Sequence, residues 1–156
     1  MERPVLIIMV GNIGAGKSTL TKALREKGFY VVSRDGIRYS LGAGQYVWSE
    51  ETEPAVFVAE MSLFETLVEK KLNIVLDEIN VSKEMRRRYI SYASLFDYEI
   101  QCIVLPRISK EESVKRRCGD NHGQATKELW ESVWVRFDNM YQEPTEDEGI
   151  HQITRL

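Results

Sequence analysis

Residues 11–18 read Gly-Asn-Ile-Gly-Ala-Gly-Lys-Ser and meet every fixed position of the phosphate-binding pattern G-x-x-x-x-G-K-[ST]. Gly11, Gly14 and Gly16 let the backbone turn so that successive N–H groups face one concavity, and a helix starting there adds the positive end of its dipole. Such a cradle takes a polyphosphate. The candidate nucleotide-binding residues are therefore Gly11, Asn12, Ile13, Gly14, Ala15, Gly16, Lys17, Ser18 and Thr19. Lys17 is placed to reach the β- and γ-phosphates of ATP or another nucleoside triphosphate, and the Ser18 hydroxyl to face Mg²⁺.

Further residues decide what a bound triphosphate is used for. In Ser33-Arg34-Asp35-Gly36-Ile37-Arg38, a helical turn starting at Asp35 puts Arg38 on the same face, so a carboxylate and a guanidinium share one pocket. A hydroxyl attacking a γ-phosphate needs a proton acceptor, and an acceptor phosphate needs a planar bidentate donor. Asp35 and Arg38 supply those two functions, although an ordinary surface salt bridge has the same spacing. Asp77 ends an apolar run and is a candidate ligand of magnesium or of its water, with Asn80 as a polar contact at the rim. Glu78 beside Asp77 leaves open a second chemistry, activation of water by a carboxylate pair.

Arg116 and Arg117 end a short helical segment, from which one of them is placed to meet the transferring phosphoryl; a solvated basic helix end is the alternative. Of the adjacent Arg86, Arg87 and Arg88, spread over much of a helix circumference, Arg87 is taken as the one facing the substrate. Tyr39, Tyr46 and Trp48 flank Gly42-Ala43-Gly44 and are either stacking or packing residues. His122 and His151 stand alone in the sequence and suggest neither a metal site nor a nucleophile triad.

These residues need a scaffold. Apolar runs at 4–10, 29–33, 73–77 and 98–105 alternate with helical segments at 18–27, 50–72, 82–96, 109–117 and 126–141, and an edge strand fits 150–154. The alternation is that of a parallel sheet covered by helices. The long helix at 50–72 is expected to turn Phe57, Met61, Phe64, Leu67 and Val68 to the core, and the last one Leu129, Val133, Phe137 and Met140. Length sets the domain count: 156 residues make one unit, residues 1–156, with a lid at approximately 109–126. No room is left for a second catalytic module.

A net charge of −3 from 21 basic and 24 acidic residues lacks the global basic field of a protein that coats nucleic acid, so any such contact is local. Cys102 and Cys118 have no metal-ligand spacing and suggest no disulfide framework. No stretch is long enough to span a bilayer, and the expectation is a cytoplasmic protein without a membrane partner.

Taken in order, Gly-x-x-Gly-x-Gly-Lys-Ser, Ser-Arg-Asp-x-x-Arg, Leu-Asp-x-x-Asn, the arginine-bearing lid and Glu143-Pro144-Thr145-Glu146-Asp147-Glu148-Gly149 resemble the P-loop kinase domain of polynucleotide 5′-hydroxyl kinases, over nearly the whole chain. The resemblance implies a three-layer α/β/α fold with a parallel sheet of about five strands, order 2-3-1-4-5, under a helical lid. It also implies transfer of the ATP γ-phosphate to the 5′-hydroxyl of a DNA or RNA end, with Asp35 as general base, Arg38 on the adjacent substrate phosphate and a lid arginine on the transferring group. One feature departs from that pattern: the family often spaces lid arginines one helical turn apart, whereas the position four after Arg116 is Asp120. A role in nucleic-acid repair implies a separate ligase or phosphatase. Two other functions fit the residues: a kinase for a nucleoside, nucleotide or sugar, and an ATP-hydrolysing switch using Asp77 and Glu78.

Overall fold

In a computed structural model of the chain, which describes residues 2–119 and 125–156, five parallel strands form one sheet in the order β2-β3-β1-β4-β5. They are β1 (Val5–Val10), β2 (Tyr30–Val32), β3 (Ile74–Leu76), β4 (Glu99–Val104) and β5 (Gln152–Arg155). The central strand β1 runs beside β3 and β4, with Ile7 opposite Val75 and Gln101. Both faces of β1 are covered, which is why it is apolar throughout. Its even residues Leu6, Ile8 and Val10 join Phe64, Val68, Tyr89 and Ile100 in one core. Odd residues Ile7 and Met9 pack with Leu24 and Leu105 in the other.

The helices are α1 (Lys17–Glu26), α2 (Arg34–Leu41), α3 (Glu53–Glu69), α4 (Lys83–Ser94), α5 (Lys110–Gly119) and α6 (Lys127–Met140). Ser33, Ser82 and Thr126 cap α2, α4 and α6 by accepting the N–H of Gly36, Met85 and Leu129. The segment after β2, read as one turn and then a loop, is a full two-turn helix.

Two helix faces differ from expectation. α3 is apolar nearly all round, so its period selects no face. It buries Val56, Glu60, Phe64 and Val68 with Met61 and Leu67 packed beside them, and of the expected residues Phe57 alone turns outward, beneath Arg88, whose guanidinium carbon is 5.0 Å from the ring centre. On α6, Leu129 and Met140 are exposed. The buried stripe is Trp130 with Val133, Trp134 and Phe137, one position round the helix, because these side chains meet Ile13 and Val114 rather than the sheet. This third cluster seats α5 and α6 against the glycine loop.

Arg86 is fully buried. Its guanidinium pairs with both oxygens of Glu148 at 2.9 and 3.2 Å and donates to the carbonyls of Asn80 and Gln142. Glu148 also accepts the Thr145 N–H. The acidic tail segment is thereby tied to the turn after β3, a structural role that the arginine run does not reveal. Removing one partner strands a buried charge, so Arg86→Leu should lower stability by about 3–5 kcal/mol. Chemical denaturation measures this, and a loss below ~1 kcal/mol would contradict the assignment.

Candidate active site

The glycine loop runs from the end of β1 to α1. Gly14 and Gly16 have φ of 69° and 101°, and a Cβ at Gly14 would lie 2.7 Å from the Ser113 carbonyl oxygen of α5. Ser113 in turn donates its hydroxyl to the Ile13 carbonyl at 2.9 Å. The lid helix therefore lies directly on the loop. Lys17 folds back over it, donating to the carbonyls of Gly11 (2.7 Å) and Asn12 (2.9 Å), while Ser18 and Thr19 at the start of α1 are exposed. Burial pushes the Lys17 ammonium down to about 8, against the attraction of Asp77, Glu78 and Asp35.

The two carboxylates after β3 diverge. Asp77 faces the loop, near Lys17 and the Thr21 hydroxyl, with burial raising its carboxyl against the pull of Lys17. Glu78 turns the other way and accepts the Arg34 N–H at 2.6 Å, with the Arg34 Nε 3.3 Å from the same oxygen. Burial pushes Glu78 up to about 7 despite Arg34. No group of three or more His, Cys, Asp or Glu able to hold a metal occurs among the described residues. The Ser18 hydroxyl and the Asp77 carboxylate are hard oxygen donors, and such a pair suits Mg²⁺ that takes its remaining ligands from water and phosphates.

Asp35 and Arg38 meet at the start of α2. Arg38 Nη1 lies 2.7 Å from Asp35 Oδ1, and its Nε and Nη2 grip both oxygens of Glu53 at 3.0 and 2.5 Å. The other Asp35 oxygen accepts from Arg117 at 3.1 Å. Tyr46 also hydrogen-bonds Asp35, and burial with that contact raises its hydroxyl to about 12. For Asp35, burial pushes upward, but Arg117 and Arg38 outweigh it and hold the carboxyl below the ordinary aspartate range.

The lid arginines separate clearly. Arg117 is largely buried, lies 4.6 Å from the centre of the Trp130 ring and reaches Asp35. Arg116 is 46% exposed, pairs with Glu112 one turn back and donates to the Gly14 carbonyl at 3.1 Å. Asp120 and His122, with the rest of 120–124, lie outside the described residues. Asn80 is not a rim contact: it is 2% exposed, and its amide donates to the Met9 carbonyl at 3.0 Å. Arg87 is exposed on α4 and enters none of the hydrogen bonds described around Asp35.

Loop, carboxylates and lid converge at the carboxyl ends of β1, β2 and β3, the ligand edge of an open α/β sheet. Residues 6–144 match the family model described as AAA domain. The chain belongs to that family. It is 25% identical, over 99% of its length, to the bifunctional polynucleotide phosphatase/kinase of Schizosaccharomyces pombe, of which it spans 34%. Among solved structures, a chain of the Pnkp1/Rnl/Hen1 RNA repair complex superposes with a TM-score of 0.69 at 22% identity, covering 90% of this chain and 46% of that one. A fungal RNA kinase gives 0.66 at 18% identity, covering 100% and 38%. A gluconokinase of Sinorhizobium meliloti 1021 gives 0.57 at 15% identity, covering 100% and 83%. At these identities the structural likenesses speak for the fold alone. The chain is a nucleotide-binding P-loop domain of kinase-like architecture, about a third as long as the curated relative it matches. No helix among the described residues is long and apolar enough to cross a membrane.

Sequence spacing missed Glu53 behind Arg38 and Trp130 under Arg117, and it singled out Tyr46 and Glu78 without their partners, Asp35 and the N-terminus of α2. None shares a local motif with its partner, and only the folded chain brings them together.

A triphosphate should return the buried Lys17 to its charged form. Because burial holds this ammonium near 8, ATP binding at about pH 8.5 should take up most of one proton, and near pH 6.5 none on account of Lys17. Titration calorimetry in buffers of different ionisation enthalpy reads this number. Release of protons at pH 8.5 would show that the assignment is wrong.

Proposed function

We propose that the domain transfers the γ-phosphoryl group of ATP to the 5′-hydroxyl of a DNA or RNA end, with Asp35 as general base. The observation that carries the reading is Asp35 itself, a carboxylate beside the phosphate loop that is gripped by a guanidinium of the acceptor side, Arg38, and one of the lid, Arg117. The acceptor oxygen attacks the γ-phosphorus in line, the bond to the bridging oxygen of ADP breaks, and the hydroxyl proton passes to Asp35. Lys17 and the N–H groups of residues 11–18 hold the phosphates. Ser18 and Asp77 would hold Mg²⁺, which would supply charge neutralisation at the phosphate oxygens. A narrow groove lined by Gly11, Ala15, Leu105, Arg107, Trp134 and Tyr141 flanks the loop.

Arg117 has two partners in this reading. Its ion pair neutralises Asp35, and once a γ-phosphate is present the more highly charged group draws it across, freeing the carboxylate oxygen for the substrate proton. Arg38, backed by Glu53, contacts the substrate phosphate next to the attacked hydroxyl. In nucleic-acid repair the product end would pass to a separate ligase, and a phosphatase would treat the opposite end.

The lid arginines give a direct test. Arg117→Ala should lower transfer by about 10²-fold, as for loss of one charged donor to the transition state, while Arg116→Ala should stay within a few-fold. Equal losses would remove Arg117 from its role. Substrate class is tested by incubating the protein with Mg·ATP, a 5′-hydroxyl oligonucleotide and a panel of nucleoside monophosphates and sugars. Labelling of the oligonucleotide is expected. Efficient transfer to a small molecule with none to the oligonucleotide would replace this function by small-molecule phosphorylation.

A further inference from the structure

We propose that Glu78 is a positioning residue for the acceptor half of the site: by accepting the Arg34 N–H it fixes how the first turn of α2 presents Asp35. The inference rests on Asp35 being the general base, and it concerns a carboxylate that the transfer step itself does not use.

The first N–H groups of any helix lack intrahelical partners. On α2 the Ser33 hydroxyl takes the N–H of Gly36, and Glu78 takes that of Arg34, the residue immediately before Asp35. A helix of eight residues is marginal by itself, so its orientation depends on such tethers. The tether comes from a rigid source. Glu78 follows β3, whose hydrogen-bonded extension continues through the Asp77 N–H to the Val32 carbonyl, so sheet and helix are referenced to one another.

What lies behind Glu78 supports the same role. Glu60 is fully buried on α3 and accepts the Tyr89 hydroxyl at 2.5 Å. Among the described residues its second oxygen finds no hydrogen-bond partner, and the buried Arg34 Nε has only its ion pair with Glu78. Burial of this kind is costly and leaves Arg34 enclosed by carboxylates on α3 and after β3, which restrains the residue that carries Asp35. The same geometry speaks against Glu78 as a water activator. Its inner oxygen is spent on a main-chain N–H of α2, on the side of Asp77 away from the loop.

Reach and charge make opposite demands, and that separates the roles. Glu78→Gln keeps an acceptor oxygen at the same reach without the charge; Glu78→Asp keeps the charge and withdraws the oxygen. For a positioning residue, Gln should retain kcat within about fivefold and Asp should lose about 10²-fold, the size of effect that misplacing a reacting group produces. KM for ATP should be unchanged in both, and thermal melting checks that each variant is folded. The reverse order, with Asp active and Gln inactive, would overturn the proposal in favour of a charge-based role such as water activation. Full activity in both variants would overturn it as well. Asp35→Asn is run alongside: if the wild type labels the oligonucleotide and Asp35→Asn is fully active, the general-base reading fails and takes this inference with it. If Asp35→Asn is inactive while both Glu78 variants are normal, this inference fails alone.

Discussion

Asp35→Asn should lower phosphoryl transfer by on the order of 10²- to 10⁴-fold while leaving ATP affinity close to that of the wild type, measured by single-turnover transfer and by nucleotide binding. Asparagine keeps the size of the side chain and one oxygen acceptor for Arg38 or Arg117. It cannot take the substrate proton. An unimpaired Asp35→Asn variant would exclude proton transfer to this side chain.

The ion pairs of Asp35 add a pH signature. Arg117 and Arg38 hold its carboxyl below the ordinary aspartate range, where it is a weak base. When Arg117 leaves for the phosphoryl group, that downward pull weakens. The acid limb of kcat, which reports the substrate complex, should therefore lie at higher pH than the acid limb of kcat/KM, which reports the free enzyme. Coincident limbs would mean that Arg117 does not change partners. In the fold itself the lowered carboxyl stabilises at pH above its unfolded value of 3.8, and that contribution is lost as pH falls through the folded value.

Lys17→Ala should be at least as damaging, on the order of 10³-fold or more in transfer, because it removes the loop ammonium that the proposed reaction places on the phosphates. The same ammonium satisfies the carbonyls of Gly11 and Asn12, so the substitution also leaves two loop acceptors without their donor. ATP binding should weaken together with kcat, and the proton uptake expected near pH 8.5 should vanish. Lys17→Arg should not rescue activity, since a planar guanidinium cannot replace a compact ammonium at these two carbonyls. Retained transfer in Lys17→Ala would mean that the triphosphate binds elsewhere.

How much of the site is legible in the chain depends on how local each part is. The glycine loop is eight contiguous residues after an apolar strand, and its chemistry follows from backbone freedom and one lysine. The Asp35–Arg38 pair is three residues apart, so helical spacing alone joins it. Glu53 lies 15 residues from Arg38 and Glu78 44 residues from Arg34, and no periodicity connects either pair. Arg86 shows the opposite failure. In sequence it is the first of three similar arginines, yet burial against Glu148 makes it structural, while Arg87 is exposed and Arg88 covers Phe57.

The sequence by itself determined the donor half of the site, the order of strands and helices and the placing of Asp35 beside Arg38, because each depends on short-range pattern. Where Arg116 and Arg117 point was decided by tertiary structure alone. Adjacent helical residues point about 100° apart, and which of them faces inward depends on the rotation of α5 about its axis. Packing of Val114 against Ile13 and Trp130, with Ser113 bonded to the loop, sets that rotation, turning Arg117 to Asp35 and leaving Arg116 half-exposed beside Glu112 and the Gly14 carbonyl.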